Sequence, residues 1–74
     1  MPEHTQWEAK AANILKAELK RKAVTYSQLV EKLAEIGVEE KEVNIRNKLS
    51  RGKFTAAFFL QCLSAIGTTL LHID

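Results

Sequence analysis

Three glycines, Gly37, Gly52 and Gly67, each follow directly on an apolar or amphipathic run. In such positions glycine ends a helix, taking the left-handed conformation that other residues resist. They divide the chain into helical segments, and their spacing suits no phosphate-cradling loop.

From Gln6 to Lys22, the residues Trp7, Ala11, Ile14, Leu15 and Leu19 recur at helical spacing and predict one long amphipathic helix. Glu18 and Lys22 interrupt that stripe; they pair with each other, or Glu18 meets a cation from another helix. A second helix opens on Thr25 and Gln28, a T-x-x-Q capping box, with Val24 and Leu29 spaced as a hydrophobic staple. Leu29, Val30, Leu33 and Ile36 are its expected buried face, and Val38 is placed to pack back over Gly37.

A third helix has no good N-cap, but Glu39, Glu40 and Glu42 bring negative charge to the positive end of its dipole. Ile45 and Leu49 define its inward side and Val43 is expected to pack near the first turn. Asn44, Asn47, Lys48 and Arg51 fall together on the far side. Phe54 and Phe59 repeat the staple around Thr55 and open a fourth helix, "AAFFLQCLSAI", which has no charged residue. A helix apolar on nearly every side is buried, centrally in the domain or partly against another subunit. The closing "TTLLHI" reads as a strand, which would need a second copy as partner, or as an extended tail packed on the core.

The expected fold is therefore all-α: a compact four-helix domain over residues 1–74 with a short extended or β C-terminal tail. A chain of 74 residues forms one domain and buries only about 60% of its unfolded surface. One cysteine excludes an internal disulfide, and Cys62, among apolar residues, reads as a small buried hydrophobe. No apolar run reaches membrane-spanning length and "MPEHTQWEAK" lacks the regions of a signal peptide, so a cytoplasmic location is expected. His4 and His72 lie near opposite ends, with no nucleophile motif beside either and no metal-ligand spacing. Neither enzymatic activity nor a metal, cofactor or small-molecule ligand is expected.

Charge is distributed unevenly. Residues 10–22 hold five basic residues against one acidic, residues 23–42 two against five, and residues 43–53 four basic and none acidic. The last segment contains "NIRNKLSRGKF". Asparagine can bond adenine bidentately, arginine can do so to guanine, and lysine neutralises phosphate, so the stripe Asn44, Asn47, Lys48 and Arg51 has chemistry suited to a helix in a major groove. The shortage of aromatic residues argues against single-strand stacking and makes a duplex the expected partner.

From Thr25 onward, "VTYSQLVEKLAEIG", "NIRNKLSRGKF" and "FLQCLSAIG" resemble the Cro/C1-type helix-turn-helix domains of phage repressors and bacterial regulators. The resemblance implies a helix-turn-helix formed by the second and third helices, with the third as recognition helix. It makes Gln28 a phosphate contact, Asn44 and Asn47 base-edge candidates, Lys48 and Arg51 base or backbone contacts, and Lys53 a phosphate contact from the loop. Between "EKL" and "RGK" this chain is longer than that pattern by about six residues, which implies an extra turn on the second helix or a longer connection. Where the family pairs an acid of the third helix with an arginine of the first, the pair is expected here with reversed polarity, Glu18 to Arg46. The whole chain is also similar to small bacterial domains to which no function is attached, through "ILKAELKR", "NIRNKLSRGKF" and "FLQCL".

Three functions are open at this point. The first is a duplex DNA-binding transcriptional regulator, dimeric through Leu70, Leu71 and Ile73 of the tail beside the uncharged fourth helix. The second is a non-catalytic protein-interaction module using the same apolar surfaces, a reading favoured by the acids beside the basic helix. The third is RNA binding through the basic segments, for which no aromatic platform or motif is present.

Overall fold

The computed structural model describes residues 5–71 and residue 73; the two histidines lie outside them. Four helices are present: α1 (Gln6–Arg21), α2 (Tyr26–Glu35), α3 (Glu42–Arg51) and α4 (Ala56–Ala65). Two start with full capping boxes. At α2 the Gln28 N–H donates to Thr25 Oγ1 at 3.1 Å and the Thr25 N–H to Gln28 Oε1 at 2.9 Å. At α1 Thr5 and Glu8 do the same, a box that the sequence reading does not anticipate. Thr55 caps α4 through the Phe58 N–H at 3.0 Å, and Phe54 stacks on Phe59 with ring centroids 6.1 Å apart. α3 begins without a side-chain cap, as expected.

Three helices end in the same way. After α1, α2 and α4 the chain turns through Ala23, Gly37 and Gly67 with positive φ. In each case the next residue returns a backbone N–H to the third-last helical carbonyl: Val24 to Leu19, Val38 to Leu33, Thr68 to Leu63. This double-bonded stop is the Schellman motif. Ala23 has φ 57° where glycine would be at ease.

Each helix supplies part of one core: Leu15 and Leu19, Leu29 and Leu33, Ile45 and Leu49, then Phe58, Cys62, Leu63 and Ile66. Burial pushes the Cys62 thiol up to about 12, so it acts as a small hydrophobe. α1 packs on α3 and α4, and α2 packs on the same two, while α1 and α2 do not pack on each other. The helices thus close a ring in which only α2 and α3 are neighbours in both sequence and space. Six residues, 36–41, join that pair, and both helices have ten residues. That connection exceeds the 3–4-residue turn of a helix-turn-helix pair.

Several apolar positions differ from expectation. Trp7 is 70% exposed, and Ala12 rather than Ala11 is buried. Ile36 caps α2 and points outward, leaving Val38 to pack on the core; Val43, two residues from Ile45, falls on the opposite face of α3. Among the described residues there is no strand. Leu71 packs on the core, while Leu70 and Ile73 are exposed.

Candidate nucleic-acid interface

Ile45 and Leu49 anchor α3 and thereby fix what it presents. Val43, Asn44, Arg46, Asn47, Ser50 and Arg51 are all exposed. Asn47 lies about 180° from the midpoint of the two anchors and is the most outward residue of the helix. Asn47 and Arg51, one turn apart, have no hydrogen-bond or ion-pair partner among the described residues. A helix edge of this kind offers one amide and one guanidinium, both able to bond a base or phosphate.

Asn44 and Lys48 are held from within the protein. Lys48 Nζ donates to Glu40 Oε2 at 2.7 Å and lies 4.4 Å from the centre of the Phe58 ring on α4. Glu40, almost buried, also accepts from the Lys41 N–H at 3.2 Å and from Asn44 Nδ2 at 3.4 Å. The hydrogen bond from Lys48 is the main reason that the Glu40 carboxyl is held below its usual range. Glu40 ties the α2–α3 connection to α3 and, through Lys48, to α4.

The expected pair of Glu18 with Arg46 is not formed. Glu18 accepts from Arg21 at 2.7 Å, one turn on, and from the Thr68 hydroxyl at 3.1 Å, which together keep its carboxyl below the usual range. Lys22, its other expected partner, donates to the Gly67 carbonyl at 3.3 Å. Arg46 pairs with Glu42 at 2.8 Å and stacks over Tyr26 at 5.7 Å. The correction has a simple cause: i,i+3 and i,i+4 partners were at hand for both groups. In effect Arg46 and Lys48 exchange the roles expected of them, since Arg46 is exposed on the outer surface and Lys48 belongs to a packed ion pair.

The remaining expected contacts divide similarly. Gln28 is exposed at the start of α2, with its Oε1 committed to the capping box. Lys53 donates to Glu8 Oε2 at 3.1 Å and fastens the end of α3 to the first turn of α1. Sequence reasoning missed this pair and the Glu40–Lys48 pair, whose partners are too far apart in the chain for helical spacing to reveal. The Glu42–Arg46 pair, at i,i+4, was within its reach.

A second surface lies beside α4. Leu60, Leu63, Leu70, Leu71 and Ile73 line an open groove of about 660 Å³ between α4 and the tail, and no charged residue among the described ones borders it. Leu60, Leu70 and Ile73 are 63%, 81% and 67% exposed, so the groove is an apolar surface open to water. Among the described residues no three acidic, histidine or cysteine side chains converge to hold a metal ion, and no helix is long and apolar enough to cross a membrane.

Compared with known proteins, residues 7–71 match the model of a family described as a domain of unknown function (DUF6471). No curated protein and no solved structure matches the chain.

Proposed function

The chain belongs to the DUF6471 family, a membership that brings no activity with it, and we propose that the protein binds duplex DNA without catalysis, as a transcriptional regulator with α3 in the major groove. The observation that carries this reading is the pair Asn47 and Arg51, exposed one turn apart and unengaged on the outer face of a helix that Ile45 and Leu49 anchor. Arg46 adds a cation beside them. Asn44 and Gln28 flank the face as polar contacts, and Lys53 stands at its end. Of the acids next to α3, Glu40 opposes this less than its charge implies, because it is paired with Lys48.

The protein acts as a homodimer in this reading. The groove bordered by Leu60, Leu70, Leu71 and Ile73 is apolar and carries no charge among the described residues, which suits a self-complementary contact that places two α3 helices on successive half-sites. The same groove favours a second reading, in which it receives another protein and the cations of α3 only keep the surface solvated.

Titration of a labelled mixed-sequence duplex at two salt concentrations separates the two. DNA binding gives an affinity that falls steeply with salt. Arg51→Ala or Asn47→Ala then weakens it by about 1–3 kcal/mol, whereas Lys48→Ala acts first on stability. Absence of binding at low salt by the folded protein leaves the interaction reading.

A further inference from the structure

Four cations of the described surface are neutralised by carboxylates: Arg21 by Glu18, Arg46 by Glu42, Lys48 by Glu40 and Lys53 by Glu8. Lys16 and Lys20 on α1 are different. They stand one turn apart, and the positions three and four residues away from each hold alanine, asparagine, leucine, valine or the other lysine, never an acid. A like-charged pair at this spacing weakens a helix by about 0.2–0.5 kcal/mol, while Lys20, in the last turn of α1, is favoured there by the helix dipole.

Both lysines border a groove of about 300 Å³ with Thr25 and Tyr26 at the start of α2, and no acid among the described residues lines it. On the same Tyr26 lies the guanidinium of Arg46 from α3, 5.7 Å from the ring centre. Tyr26 is thus the hinge point of a cationic strip that passes from α1 across the start of α2 to the exposed face of α3. Arg46 retains Glu42 as partner, but that pair is about half exposed on both sides, and exposed pairs of this spacing are worth only about 0.3–0.5 kcal/mol, little enough to yield to a phosphate.

We infer that Lys16, Lys20 and Arg46 form a track for the phosphate backbone of the duplex whose groove α3 occupies, so that the footprint extends over α1 instead of ending at α3. This rests on the DNA reading and adds Lys16 and Lys20, which it did not use. The partner is a polyanion with regularly spaced charges, since three cations along a strip, two of them at positions one helical turn apart, suit successive phosphates. The track adds affinity and orientation but no base preference.

The test compares the salt dependence of duplex binding for the wild type, Lys16→Gln/Lys20→Gln, and a control with the same charge change away from Tyr26, Lys10→Gln/Lys32→Gln. Each phosphate contact contributes about 0.9 to the slope of log affinity against log salt. The first variant is expected to lose about 1.8 from that slope, so that between 50 and 200 mM salt its affinity falls about tenfold less than that of the wild type. The control is expected to keep the slope, and the order of preference among duplex sequences is expected to stay the same in both variants. An unchanged slope in Lys16→Gln/Lys20→Gln overturns the track and leaves the DNA reading intact; so does an equal loss in both variants, which is a net-charge effect. A wild type that binds no duplex at low salt overturns both, and salt-sensitive binding to poly-glutamate in its place assigns the strip to acidic protein.

Discussion

Ala23 occupies a backbone region that costs an L-residue about 1–2 kcal/mol, while glycine in the same kind of turn is freed of that cost but loses about 0.5–1 kcal/mol through its more flexible unfolded chain. The difference has a sign. Ala23→Gly is expected to raise stability by about 0.5–1 kcal/mol, and Gly37→Ala, where a Cβ meets no atom within 4 Å and conformation alone decides, to lower it by about 1 kcal/mol. Thermal midpoints moving in opposite directions by roughly 4–8 °C per kcal/mol would check both. The same scale explains why Arg46 and Lys48 were misread. On a helical wheel each lies about 80° from the inward midpoint of Ile45 and Leu49, one on either side. Periodicity leaves them equivalent. What distinguishes them is Glu40 and Phe58 on one side and Tyr26 on the other, and those neighbours are set by tertiary packing.

The starts of α2 and α4 and the stops of α2, α3 and α4 were legible because their signals are local: Thr25 with Gln28, Thr55 with the two phenylalanines, and a glycine after each of three helices. The inward pairs of α2 and α3 were legible for the same reason. The tail was not, since its apolar run fits either an added strand or a packed extension, and chain length beyond a helix carries no periodicity to choose between them. Nor was the work of Glu40, which lies outside any helix and unites the connection 36–41, α3 and α4. Its carboxyl sits below the usual value of about 4.5, so its stabilising effect is complete above that pH and is lost as pH falls through the lowered value. Glu40→Gln is expected to cost about 1 kcal/mol at neutral pH, a figure reduced because Lys48 is a third exposed. Urea midpoints of wild type and variant should differ most at neutral pH and converge as the solution is made more acid.

For the whole molecule the core is small enough that single residues decide whether it persists. A domain of this size is held by about 3–5 kcal/mol, and truncating a fully buried leucine costs about 2–5 kcal/mol. Leu33→Ala is therefore expected to lack a cooperative thermal transition by circular dichroism at room temperature and above. Under the proposed dimer, Leu70→Asp, at a position 81% exposed, is expected to leave the fold intact and to sediment as a monomer, with the wild type expected to sediment as a dimer. The ring of helices has one more consequence, for a chain still being made. α1 and α2 emerge first and do not pack on each other; α3 gives both a first partner, and the ring closes only when α4, the last of the four, arrives. At synthesis rates of about 5–20 residues per second, the leucines of the first two helices wait some seconds in water without their full complement of neighbours. Cooperative folding therefore waits for α4, and a chain in which α4 has not yet emerged is one that chaperones and proteases treat as unfinished.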